Sequence, residues 1–220
     1  SYQWSGLEPG TEYSWHVNVS DGELENTTGE YTFTTNHKPV IDNVSIVDDK
    51  RLSNETIHGF CNATDYENDT LSFDYQWYVN GVATAQTQNL SHTYTEKDDV
   101  VSLSCRANDE SIGSDWKSST DVTVLNTPPV AEYVEISNPP FYPDDSLSGF
   151  CNVSDYDGDD VKLEYEWSNS TSTLVTGDTL FSGGEKISVD NLEPSHIYNG
   201  NTITLSCAAN DSTNVSSYIS

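Results

Sequence analysis

Gly59-Phe60-Cys61-Asn62-Ala63-Thr64-Asp65-Tyr66 returns ninety positions later as Gly149-Phe150-Cys151-Asn152-Val153-Ser154-Asp155-Tyr156. Working outward, residues 36–77 and 126–167 align without a gap at that offset, with fourteen of 42 positions identical. Asp69 recurs as Asp159, Tyr75 as Tyr165 and Trp77 as Trp167. Further on, Ser104-Cys105-Arg106-Ala107-Asn108-Asp109 becomes Ser206-Cys207-Ala208-Ala209-Asn210-Asp211, now at an offset of 102. The second repeat therefore carries twelve extra residues between Trp167 and Cys207. Internal self-similarity of this length means that one folding unit occurs twice.

The repeated segments alternate with period two, the signature of a strand with one buried face. Leu71, Phe73, Tyr75 and Trp77 form one apolar row; Val161, Leu163, Tyr165 and Trp167 repeat it. Val101, Leu103, Cys105 and Ala107 form another, repeated by Ile203, Leu205, Cys207 and Ala209. No segment carries a helical period. Both repeats open from similar joints, Asn36-His37-Lys38-Pro39-Val40 and Asn126-Thr127-Pro128-Pro129-Val130, where proline withholds a ladder donor and stiffens a short linker.

Each repeat holds two cysteines and one tryptophan, in the order Cys61, Trp77, Cys105 and Cys151, Trp167, Cys207. This order resembles the immunoglobulin fold, in which a disulfide between two sheets packs on a tryptophan. The resemblance implies pairing of Cys61 with Cys105 and of Cys151 with Cys207. All four cysteines stand in apolar rows, which agrees with it. Zinc, the competing reading, wants closely spaced cysteines, and none here are close. Disulfides imply an oxidising, extracytoplasmic location. Leu103 and Leu205 stand where antibody domains carry tyrosine, so the resemblance is to immunoglobulin-like domains at large.

Residues 1–36 differ. Leu7-Glu8-Pro9-Gly10-Thr11-Glu12-Tyr13 precedes Trp15, Val17 and Val19, then Asp21-Gly22 and Tyr31-Thr32-Phe33-Thr34-Thr35. This resembles the last three strands of a fibronectin type III domain, with Val17 and Val19 as expected inward positions on either side of Asn18. The expected architecture is all-β: fibronectin type III-like and immunoglobulin-like β-sandwiches arranged as beads on a string. Residues 1–36 are the C-terminal part of the first, 37–127 immunoglobulin-like domain 1 and 128–220 immunoglobulin-like domain 2. The chain reads as a piece of a longer protein, opening with an incomplete domain and ending with a clipped one. The boundaries fit either strand exchange between copies or the limits of the piece. The joints, acidic loops and Cys–Trp–Cys rhythm resemble the tandem repeats of archaeal and bacterial cell-surface proteins of adhesin or filament type.

Charge narrows the partners. Eight Lys and Arg stand against 36 Asp and Glu, for a net charge of −28. Such a field repels nucleic acid and anionic membrane surfaces. No apolar run reaches membrane-spanning length, so direct membrane insertion of this segment is not expected. Eleven asparagines lie in Asn-x-Ser/Thr sequons: Asn18, Asn26, Asn43, Asn54, Asn62, Asn68, Asn89, Asn152, Asn169, Asn210 and Asn214. Chance placement gives about 4–5. The excess points to covalent N-glycans, with an Asn- and Thr-rich composition as the plain alternative.

One metal candidate stands out. Asp155, Asp157 and Asp159 alternate around Gly158, a pattern suited to calcium, which takes six to eight oxygen ligands from flexible loops. The first repeat has Asp65-Tyr66-Glu67-Asn68-Asp69 there; an ordinary polar turn accounts for both equally. Beyond calcium no cofactor is expected. The five histidines are dispersed, and no nucleophile elbow, zinc-protease motif or phosphate loop is present, so the chain is not expected to be an enzyme. The expectation is a structural glycoprotein of the cell surface, a filament or stalk, associating end to end with its own copies or continuing in a longer chain. The second reading is an adhesin arm that binds a carbohydrate or protein, with Tyr78, Trp116 and Tyr142 as exposed aromatics.

Overall fold

A computed structural model describes residues 3–137, 142, 144–180 and 186–220, with the backbone of 181. Among these residues the chain is all-β, with two single-turn 3-10 segments at His92–Tyr94 and Pro194–His196. The two turns contain His92 and His196. Contacts divide the chain into two compact units. One comprises Ser1–Asp49, Thr56–Tyr94 and Val100–Val122; the other comprises Lys50–Glu55, Thr95–Asp99 and Thr123–Ser220.

In the first unit, β1 (Glu12–Trp15) pairs with β4 (Tyr31–Thr34), and β2 (Asn18–Ser20) with β3 (Glu25–Thr27). Four strands thus stand where three are expected. The first run breaks at His16-Val17, where both backbone groups of Val17 bond Thr28 instead of extending the ladder. Trp15 stacks on Tyr31 at 4.8 Å and Tyr13 on Phe33 at 5.8 Å. The Tyr13 hydroxyl accepts a hydrogen bond from the Glu8 amide at 2.9 Å, which pins the corner at Pro9-Gly10. Val17 and Val19 are exposed rather than inward, because none of the described strands covers that face.

The first repeat follows. β5 (Val40–Ile46), β6 (Ile57–Thr64) and β9 (Asn89–Leu90) form one sheet. Opposite it stand β7 (Ser72–Val79), β8 (Val82–Ala83), β10 (Val100–Asn108) and β11 (Lys117–Ser118), with β12 (Val122–Thr123) also on β10. Cys61 on β6 is bonded to Cys105 on β10, tying the two sheets together. Trp77, Leu90, Val101 and Leu103 are fully buried, and the Trp77 indole donates to the Thr87 carbonyl at 2.9 Å.

The second unit repeats the plan. β13 (Val130–Ile136), β14 (Leu147–Ser154) and β17 (Ile187–Leu192) face β15 (Val161–Asn169), β16 (Thr173–Phe181) and β18 (Ile203–Asn210). Cys151 on β14 is bonded to Cys207 on β18, and the buried Trp167 donates to the Asp190 carbonyl at 2.8 Å. Both expected disulfides are therefore present. The extra residues of this repeat lie where β16, nine residues long, replaces the two-residue β8. Gly177 on β16 leaves room for Tyr165, whose hydroxyl donates to the Asp190 carboxylate at 2.5 Å. Burial, then that bond, pushes the Tyr165 phenol up to about 12.

The repeated Gly-Phe-Cys-Asn now has a physical reading. Cys bridges inward, Asn stands on the outward alternate position, and Gly makes room for the tryptophan. A Cβ at Gly149 would stand 2.5 Å from Leu205 Cδ2 and 2.7 Å from Trp167 Cζ2. One at Gly59 would stand 2.5 Å from the Gln88 carbonyl oxygen. Overpacking of a filled core costs about 1–3 kcal/mol. Gly149→Ala is accordingly expected to destabilise the second unit by that amount in denaturant titrations, without loss of the disulfide.

Candidate functional site

The acidic loops are built the same way in both repeats. After β14 the chain turns through Asp155–Asp160, with Gly158 at φ +73°. After β6 it turns through Asp65–Asp69, with Asn68 in the same place at φ +63°. Glycine takes that left-handed conformation freely, and asparagine is among the few residues that tolerate it. The turn is locked by the first aspartate: Asp155 Oδ1 accepts from the Asp159 amide at 3.1 Å, and Asp65 Oδ2 from the Asp69 amide at 3.0 Å.

The middle carboxylate holds the segment leading into the repeat. Asp157 Oδ2 accepts from the Thr127 amide at 2.7 Å. Glu67 accepts from the His37 amide at 3.3 Å and pairs with His37 Nδ1 at 2.7 Å, a contact that lowers the Glu67 pKa. The neighbouring asparagine reaches a second acid. Asn126 Nδ2 donates to Asp211 Oδ2 at 2.7 Å, and Asn36 Nδ2 to Asp109 Oδ2 at 2.6 Å. Asp109 and Asp211 are almost fully buried. Their other oxygens accept amides at the next turn, Ile112 and Ser111 in one case and Asn214 and Thr213 in the other. The Ile112 amide is the main reason that the Asp109 pKa lies below the usual range.

The polar groups of these loops and joints are not all satisfied. Asp155 Oδ2, Asp65 Oδ1 and Asn126 Oδ1 are buried with no hydrogen-bond donor. Oxygens of Asp155, Asp157 and Asp159 lie within 4.8 Å of one another, and all three residues are half-buried. No other such group occurs among the described residues. Lys97 Nζ pairs with Asp159 and gains affinity for its proton from that contact. In the first repeat, burial and the charges of Asp65, Asp109, Glu67 and Glu110 raise the Asp69 pKa. The three aspartates offer only oxygen ligands and carry an orphaned buried acceptor, which suits a hard divalent cation, with one oxygen of Asp159 already holding the Lys97 ammonium. The structure thus brings together the three aspartates read from the sequence. Asn36, Asn126, Asp109 and Asp211 went unread as part of the site, although each recurs unchanged between the repeats.

The sequons divide by exposure. Asn18, Asn26, Asn43, Asn54, Asn62, Asn68 and Asn89 are exposed, whereas Asn152, Asn169, Asn210 and Asn214 are half-buried. Asn43 and Asn62 stand directly opposite each other on β5 and β6. Asn152 is occupied with Glu132 at 3.2 Å, and Asn210 with Glu164 at 2.9 Å. Asn169 Oδ1 closes its own turn by accepting the amides of Thr171 and Ser172. Of the aromatics, Trp116 and Tyr142 are exposed, while Tyr78 is half-buried.

No family model matches the sequence. No curated protein matches it either. Among solved structures, the chain is similar to the crystal structure of chicken CNTN1 FN1-FN3 domains, at 10% identity and a TM-score of 0.31. That likeness covers 96% of this chain and 73% of the other. The tandem-sandwich fold therefore stands on its own sheets, disulfides and buried tryptophans. Among the described residues no helix is long and apolar enough to cross a membrane. Two disulfides in small sandwiches fit a protein of an oxidising compartment.

Proposed function

We propose that this chain is part of a structural glycoprotein of the cell surface, a filament or stalk assembled from tandem sandwiches. The observation that carries the reading is the split between faces. Inner faces hold disulfides and tryptophans, while outer positions of the first 127 residues present seven exposed sequon asparagines. Glycans there shield strand edges and outward faces from proteases and from unwanted pairing. Repeats held by disulfides suit a load-bearing element, because each cross-link limits how far its unit extends when it opens.

Glycopeptide mass spectrometry of the native protein tests the proposal. High occupancy is expected at the seven exposed asparagines and low occupancy at Asn152, Asn169 and Asn210, whose amides are engaged. Bare asparagine throughout would end the glycoprotein reading.

Calcium belongs to the same proposal. Asp155, Asp157 and Asp159 would hold the ion, with the unpartnered Asp155 Oδ2 as the oxygen best placed to gain a partner. Bound calcium would offset carboxylate crowding in a chain of charge −28 and fix the loop that grips the Thr127 amide.

A further inference from the structure

A trough in the first unit, along β7, β8 and the segment from Thr84 to Ser91, has a cavity volume of about 830 Å³. None of its lining residues is charged. The chain as a whole carries a charge of −28. Amides dominate it: Gln76, Gln86, Gln88 and Asn89. The orientation of the three glutamines is set in advance. Gln76 Nε2 donates to the Trp77 carbonyl at 3.0 Å, Gln86 Nε2 to Gln76 Oε1 at 3.1 Å, and Gln88 Nε2 to the Gly59 carbonyl at 3.5 Å. The side-chain oxygens Oε1 of Gln86 and Gln88 take no hydrogen bond from the described residues. Tyr94, half of it exposed, lines the same cavity.

An adjoining cavity of about 330 Å³ shares Gln86. Its wall includes Trp116, 47% exposed, with the Arg106 guanidinium 5.2 Å from the ring centroid. Arg106 is also paired with Asp74 at 2.8 Å, so this wall is neutral as well. Both volumes fall in the range of small-molecule sites, roughly 300–1,000 Å³.

We infer that this double trough binds a neutral oligosaccharide. Planar amides offer a donor and an acceptor at the spacing of adjacent hydroxyls. An exposed aromatic ring receives the C–H face of a pyranose while its polar edge stays hydrated. An anionic ligand would find no unpaired cation in the lining and a repelling field around it. An apolar ligand would leave four amides facing hydrocarbon, which costs free energy at each. The neutral lining leaves an uncharged, hydroxyl-rich chain as the matching class. Asn89 stands on the rim within a sequon and is exposed. The saccharide therefore has two sources, a glycan carried by Asn89 or a glycan of another molecule. The first of these rests on the glycoprotein reading; the second does not.

The test uses the full chain made without glycosylation, oxidised and folded, titrated with maltotriose, cellotriose, mannotriose and triacetylchitotriose. Side-chain amide resonances of Gln76, Gln86 and Gln88 and the indole N–H resonance of Trp116 are the readouts. At least one trisaccharide is expected to shift the glutamine amides and the tryptophan together. Q86A/Q88A, on exposed positions, is expected to weaken that binding about tenfold, as loss of one or two hydrogen bonds predicts, with unfolding unchanged. Repeating the titration on protein glycosylated at Asn89 separates the sources: loss of binding that N89Q restores assigns the trough to its own glycan, and unchanged binding assigns it to another molecule. No shift with any of the four sugars, or shifts untouched by Q86A/Q88A, would overturn the inference.

Discussion

Replacing Cys151 and Cys207 together by alanine is expected to destabilise the second unit by about 4 kcal/mol, the loop-closure contribution for a separation of 56 residues. In a unit of roughly 100 residues that amounts to a fall in Tm of about 16–32 °C. The same exchange at Cys61 and Cys105, separated by 44 residues, is expected to act on the first unit by a similar amount. Scanning calorimetry reads both. Each pair joins opposite sheets and packs in a core with a fully buried tryptophan, so the core loses contacts as well as the cross-link. A Tm within a few degrees of wild type would mean that the bonds are ornaments on sandwiches already stable without them.

The second large effect concerns calcium. A ligand bound only by the folded state stabilises it by RT ln(1 + [L]/Kd), about 2.7 kcal/mol at one hundred times Kd. Adding calcium after EDTA treatment is expected to raise the Tm of the second unit on that scale, and magnesium much less, because magnesium sheds water reluctantly. Asp155→Asn gives the sharper reading, because its sign depends on the ion. In EDTA the variant loses a buried carboxylate oxygen that has no donor, so it is expected to be neutral or stabilising. With calcium present it loses the ion's stabilisation and becomes the less stable protein. Equal behaviour of the two proteins in calcium and EDTA would leave Asp155–Asp160 an ordinary turn.

What the sequence disclosed follows from what repetition can encode. Disulfide pairing was legible through the resemblance to the immunoglobulin fold carried by the order Cys61, Trp77, Cys105, and the two core tryptophans because they recur within apolar alternation. Inward rows such as Val161, Leu163, Tyr165 and Trp167 were legible for the same reason, and all four are buried. The extra length of the second repeat was legible as a count, but not as β16. Its residues, Thr173–Phe181, alternate weakly, and their strand is defined by pairing with β15 and by Gly177 facing Tyr165. Val17 and Val19 misled, because alternation records which residues share a face and cannot record whether anything covers it. The three aspartates of the acidic loop were read as a cluster. Their partners were not, since Asn126 and Asp211 are 85 residues apart and meet only when the sheets close.

Electron microscopy of native material released from cells without denaturant tests the structural role most directly. The account predicts thin, extended assemblies whose mass per length matches this unit, labelled along their length by antibody against the chain. Compact, discrete particles with no extended assembly carrying the chain would contradict it.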